Sequence, residues 1–216
     1  MPQTAHYPQW TWLFSPSLKN LAGRLVLMGL LCLMLGNVSN QAWSKDIPDG
    51  EALSKGQVVI KQNPGATKDD VPSVEAKILV PRPMNKVWSV VSEPEKLMKD
   101  DPRVKKVKVL SRSGNRQNVE FHVLMTHLFP TFNYVLLQEL YPPNLVRFHR
   151  LSGSFRDIQG SWHLLPTDNA NQTVLVYTLK LDPGPFIPHP LLLGAVKSDL
   201  PNMMHHAKSA IEKNTQ

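Results

Sequence analysis

The chain has 216 residues, 42% of them hydrophobic, enough to bury one substantial core but cramped for two full domains. Its formal charge of +7 is set against acidic residues running through the whole sequence. No glycine-rich phosphate loop or nucleic-acid-binding signature accompanies the basic ones, so nucleic acid is not an expected partner. The single cysteine, Cys32, sits in an apolar run, and nothing after it offers thiolate or disulfide chemistry.

In chain order, Lys19 and Arg24 precede the apolar run LVLMGLLCLML, Leu25 to Leu35, and the polar GNVSNQAWS follows. That is the order of an export signal, with cleavage after Ala42 or Ser44, so residues 1–44 are expected to direct the protein out of the cytoplasm. The run stops short of the roughly 20 apolar residues of a spanning helix. The long stretch before it, with YPQWTWLF, keeps an anchor over residues 25–43 as the alternative. Leu31 occupies the place where a lipoprotein signal needs a small residue, so Cys32 is not expected to be lipidated.

Residues 45–72 are polar and rich in turn formers, an exposed lead-in with one short apolar run at Val58–Ile60 and at most one strand. The organised domain is expected over 73–216. VEAKILV alternates as a strand and PRP stops it. In MNKVWSVVS, Val87, Trp88 and Val91 share a helical face. SEPE then offers Ser92 as an N-cap, Glu95 at the capping-box position and Pro94 in a second short helix.

Six strand-like segments follow DDP: VKKVKVLS, QNVEFHVLMTHL, FNYVLLQEL, LVRFHRLS, IQGSWHLLP and TVLVYTLKL. The short turns between them (GN, FPT, YPPN, SGSFRD, TDNANQ) imply an antiparallel meander. Next comes LDPGPFIPHPLLLG, whose Pro183 and Pro185 end the last strand and whose Pro190 can open a helix. That helix is expected from Leu191 to Lys213, with Leu192, Val196, Leu200, Met203, Ala207 and Ile211 on its inward stripe and Pro201 kinking or splitting it.

Chemical motifs are scarce. His122, His127, His149, His163, His189, His205 and His206 show no ligand spacing, so no metal is expected, and His122 and His163 fall in the outward strand phase. No nucleophile elbow is present, and the carboxylates fall mainly at turns, where capping and solvation account for them. Glu120 is in the outward phase. Lys96, Lys99, Arg103, Lys105, Lys106 and Lys108 form a basic cluster, read either as a solvated edge strand guarded by lysine or as a contact surface for anionic lipid headgroups. Strand phase gathers Val119, Phe121, Val123 and Met125 with Trp162, Leu164, Leu175, Tyr177 and Leu179 on one inner face, and turns Phe148 inward.

The order of these pieces resembles the helix-grip fold of the START and SRPBCC superfamily, closest to its polyketide-cyclase and coenzyme-Q-binding branch. The segments that carry the likeness are ILVPRPMNKVWSVVSEPEKL with DPRVKKVKVL, then GSWHLLPTDNANQTVLVYTLKLDPG, and finally LLLGAVKSDLPNMMHHAKSAI, together spanning about residues 73–214. The resemblance implies an α+β fold of about seven strands in the order β-α-α-β6-α, curved around a long C-terminal helix with an apolar cavity between them.

On that basis the cavity would be lined by Trp88, Phe121, Val123, Met125, Phe148, Trp162, Leu164, Tyr177, Leu179, Phe186, Ile187, Leu192, Val196, Leu200 and Met203. Tyr177, Gln138 or Trp88 would supply its polar groups, and Phe186, Ile187, Leu191 and Leu192 its rim. The implied function is binding or carrying a hydrophobic small molecule (a lipid, quinone or isoprenoid), as a monomer, with neither cofactor nor covalent catalysis. The alternatives are a cyclase or aromatase that positions a polyketide-like substrate, and an interaction module with no cavity.

Overall fold

The computed structural model describes residues 49–64, 71–124, 130–185 and 187–215, so the expected export segment, Met125 and Phe186 lie outside the described residues. Twelve elements follow one another: α1 (Gly50–Ser54), β1 (Val59–Asn63), β2 (Ser73–Val80), α2 (Met84–Val91), α3 (Pro94–Leu97), β3 (Val104–Ser113), β4 (Arg116–Val123), β5 (Phe132–Tyr141), β6 (Leu145–Gly153), β7 (Asp157–Pro166), β8 (Thr173–Asp182) and α4 (His189–Asn214).

The strands form one antiparallel sheet of eight, ordered β1-β2-β8-β7-β6-β5-β4-β3. From β3 to β8 the chain runs as the expected meander. Helices α2 and α3 carry it between β2 and β3, which lie near opposite edges. Strand β2 shows the physical basis of the curved inner face: Val74, Ala76, Ile78 and Val80 are buried while the residues between them are partly exposed. Helix α4 lays Leu192, Val196, Leu200, Met204, Ala207 and Ile211 on that face.

Several expectations are corrected. The sheet has eight strands, because the lead-in supplies β1 as an edge strand paired with β2. The lead-in also supplies α1, whose Leu53 is buried with Val174 and Val176 on the outer side of the sheet. The capping box does not form. The Ser92 hydroxyl donates back to the Trp88 carbonyl at 2.7 Å, and the Glu95 carboxylate accepts from the backbone N–H of Val109 on edge strand β3 at 2.8 Å. Helix α4 runs unbroken through Pro201: one missing N–H cannot end a helix whose flanking Leu200 and Met204 are both buried. Met204, not Met203, is the fully buried member of that turn.

Candidate functional site: an aromatic cavity beneath the last helix

Between the inner face and α4 lies a cavity of about 130 Å³, counted as room for the centres of water molecules. At the ~10–15 Å³ one water needs by that measure, it holds on the order of ten. Strand phase explains its wall. Phe132, Tyr134, Leu136 and Gln138 are alternate residues of β5, and all four line it. Phe121 and Val123 on β4, Phe148 on β6, Ile158 and Trp162 on β7, and Tyr177, Leu179 and Leu181 on β8 continue the surface. Val196, Asp199, Leu200 and Met203 close it from α4, while Val91, Pro94, Leu97 and Met98 close it from the α2–α3 side.

The rings form two groups. Phe121 stacks on Tyr134 with centroids 5.5 Å apart, and Phe155 joins them, 5.7 Å from Tyr134 and 4.6 Å from Phe132. Tyr177 sits between Phe148 at 5.9 Å and Trp162 at 4.4 Å. Phe148 reaches Tyr177 by passing over Gly160, where a Cβ would stand 2.6 Å from the Phe148 ring and 2.1 Å from the Thr178 carbonyl oxygen. Glycine here serves close approach, since any side chain would occupy the place of the ring.

Polar groups enter the wall at three places. The Tyr134 and Tyr177 hydroxyls have no hydrogen-bond partner among the described residues, and burial pushes both well above the ordinary phenol value, so they stay neutral donors. Gln138 is buried, and its carbonyl oxygen accepts from the Gln117 amide at 2.8 Å.

The third is an ion cluster. Arg103 binds the buried Asp101 carboxylate through both Nε and Nη2, and its Nη1 donates to the Asp199 backbone carbonyl at 3.2 Å while standing 3.5 Å from that residue's carboxylate. Burial would raise the Asp101 carboxyl. The hydrogen bonds and charge of Arg103 outweigh it and hold the group below the usual carboxylate value. Burial likewise works against the Arg103 charge, and Asp101 overcomes it, leaving the guanidinium more firmly protonated than usual.

Of the residues predicted to line the cavity, Phe121, Val123, Phe148, Trp162, Tyr177, Leu179, Val196, Leu200 and Met203 do so. Leu164 is instead buried in the core, Leu192 is buried beside a separate small cavity of about 20 Å³, Trp88 and Ile187 pack against the core without reaching the main void, and Leu191 is 54% exposed. Met125 and Phe186 lie outside the described residues. Arg103 leaves the basic cluster altogether, because its guanidinium turns inward between Asp101 and Asp199. Lys106 is committed to Glu120 at 2.6 Å. Tyr134, Leu136, Phe155 and the Asp101–Arg103–Asp199 cluster went unpredicted. Only the alternation of β5 from Phe132 to Gln138 carried a signal for the first two.

No group of three or more metal-ligating side chains occurs among the described residues. His122 lies on the outer face as predicted, 3.1 Å from Glu120.

Residues 80–208 match the family described as polyketide cyclase / dehydrase and lipid transport. No curated protein matches the chain. Among solved structures, TTHA0849 from Thermus thermophilus is 19% identical, with a TM-score of 0.61 over 67% of this chain and 100% of its own. The Zhui aromatase/cyclase from a Streptomyces species is also 19% identical, with a TM-score of 0.59 over 67% of this chain and 95% of its own. Human STARD10 is 12% identical, with a TM-score of 0.61 over 73% of this chain and 70% of its own. Sheet, gripping helix and family match agree: the chain has the helix-grip fold of the START/SRPBCC proteins and belongs to the polyketide cyclase / dehydrase and lipid transport family.

Proposed function

We propose that the protein binds or carries a hydrophobic small molecule, a lipid, quinone or isoprenoid, outside the cytoplasm and without covalent catalysis. One observation carries the reading. A close-packed interior leaves few voids larger than a water molecule, yet the space beneath α4 is a ring-lined cavity of about 130 Å³. An interaction module with a solid core has no use for such a space. The export part of the proposal is supported by the order of Lys19, Arg24, the apolar run Leu25 to Leu35 and the polar segment after it. Delivery at a membrane is supported by Lys96 and Lys99, which stand beside the cavity-lining Leu97 and Met98, and by Lys105 beside Val104. Native mass spectrometry of protein purified from its own envelope fraction tests the proposal. A co-purifying lipid or quinone is the expected result, and an empty cavity that also refuses a hydrophobic probe would sink it.

A second reading, a cyclase acting by positioning, draws on the Tyr134 and Tyr177 hydroxyls and the Arg103–Asp199 pair at the cavity wall. Tyrosines kept neutral by burial can donate to a ketone oxygen but cannot serve as bases near neutral pH. Turnover of a linear poly-β-ketone, lost in Tyr177→Phe, would establish that reading over simple carriage.

A further inference from the structure

Arg112, Gln117, Gln138, Phe148, Gly160 and Leu179 are successive partners across β3 to β8 and form one transverse row of the sheet. The chemistry of this row is fixed from its exposed end. Glu93 holds the Arg112 guanidinium through two bonds of 3.0 and 2.9 Å. A guanidinium only donates, so the Gln117 atom 2.8 Å from Arg112 Nη2 is the amide oxygen. The Ser92 carbonyl only accepts, so the Gln117 atom 3.1 Å from it is the amide nitrogen. Both neighbours impose the same orientation.

Gln117 Nε2 then donates its other hydrogen to Gln138 Oε1 at 2.8 Å, and the orientation passes to the second glutamine. With its oxygen turned to Gln117, Gln138 points its amide NH2, two donors, away from that neighbour. The residue is 5% exposed, lines the cavity, and finds no acceptor for its side-chain nitrogen among the described residues. The amide NH2 is therefore left to whatever fills the cavity, and a molecule that displaces water from it without bringing an acceptor leaves the amide unpaired, which is unfavourable.

We infer that the row Arg112–Gln117–Gln138 presets the β5 wall of the cavity as a hydrogen-bond donor, so that the protein selects an apolar molecule carrying a carbonyl oxygen, as a ketone, ester or quinone does, over a hydrocarbon of the same shape. This rests on the cavity being a binding site. Gln138 is the group that touches the ligand. Arg112 is a positioning residue that acts through Gln117, and its side chain is 43% exposed and does not line the cavity.

The test compares 2-methyl-1,4-naphthoquinone with 2-methylnaphthalene, which has the same carbon skeleton without the two oxygens. Each is titrated against the full-length chain by displacement of N-phenyl-1-naphthylamine, and each serves as its own reference between variants. Gln138→Leu should raise the quinone Kd about tenfold while leaving the hydrocarbon Kd unchanged or lower. Arg112→Met, which touches nothing in the cavity, should raise the quinone Kd by about threefold at most and spare the hydrocarbon, because Gln117 then keeps the Ser92 carbonyl as the one neighbour that orients it. Arg112→Lys retains a donor and should retain the wild-type ratio. Parallel shifts of both probes in Arg112→Met, or an unchanged quinone-to-hydrocarbon ratio in Gln138→Leu, would overturn the inference while leaving the cavity a binding site. Wild-type protein that takes up neither probe would remove both readings together.

Discussion

Arg103 ties the start of β3 to the middle of α4 through Asp199, donating to its backbone carbonyl at 3.2 Å while its other nitrogens hold the buried Asp101. Removing the guanidinium strands Asp101 as an uncompensated charge, which for a buried pair costs about 3 kcal/mol or more. Arg103→Met should therefore be destabilised by about that amount at neutral pH, measured by urea unfolding. The pH dependence has a definite sign. The Asp101 carboxyl is held below its ordinary value of 3.8 in the native protein, so its contribution is present above that pH and is lost as pH falls through the depressed native value. In Arg103→Met the backbone N–H of residue 103 still donates to the carboxylate, but burial, the largest influence, loses its main opponent and pushes the carboxyl upward. The stability gap between wild type and variant should be widest at neutral pH and close on acidification, from the variant's higher carboxyl value down through the wild type's depressed one. A gap independent of pH would mean that Arg103 acts by packing alone.

Gly160 sets the height of the aromatic floor. Because a Cβ there would stand 2.1 Å from a backbone oxygen as well as 2.6 Å from the Phe148 ring, no rotation of a side chain can accommodate it. Gly160→Ala should cost about 3 kcal/mol, roughly 6 to 12 °C in thermal midpoint, and should disturb the stacking of Phe148 on Tyr177. Calorimetry reads the first effect and near-ultraviolet circular dichroism the second. An alanine variant with wild-type stability would show that β7 and β8 can part locally at this point.

The sheet, the gripping helix and most of the hydrophobic lining were legible because they depend on periodicity. Alternation places Phe121, Phe148, Trp162 and Tyr177 inward whatever the rest of the chain does. Tyr134 was hidden in FNYVLLQEL, where both phases are apolar, and Phe155 lies in a turn, where no phase exists. The ion cluster was illegible for another reason. In sequence Arg103 belongs to a run of lysines, and only the folded chain brings it within reach of Asp199, 96 positions away. Of the Gln117–Gln138 pair, Gln138 was expected among the polar groups of the cavity, but Gln117 and the contact between them were hidden, because that contact follows from strand register.

The lysines left at the edge make a separate prediction. Arg103 is committed to its pair and Lys106 is held by Glu120, so Lys96, Lys99, Lys105 and Lys108 are the cations of that cluster available to an anionic surface. Each lysine near such a surface is worth about 1 kcal/mol at moderate ionic strength. Replacing all four by glutamine should weaken sedimentation with phosphatidylglycerol vesicles by about a thousandfold, whereas Lys106→Gln should change it little. Binding that ignores these substitutions, or that survives high salt, would return β3 to being an edge strand guarded against aggregation.

Leu53 separates a solvated lead-in from a structural one. It is 2% exposed on the outer side of the sheet, packed with Val174 and Val176 and bordered by Val59, Leu79 and Leu165, on the face opposite the cavity. Val174 and Val176 are themselves buried, so the first half of β8 is apolar on both faces and needs a cover on each. Helix α4 and the cavity wall cover one, and α1 with β1 covers the other. Leu53→Ala should cost about 2 to 3 kcal/mol and raise amide exchange in β1 and the adjoining half of β2. Ligand affinity should stay within about twofold of wild type, because nothing lining the cavity is touched. A lead-in that merely spaces the domain from its N-terminal segment would instead tolerate the substitution at no cost.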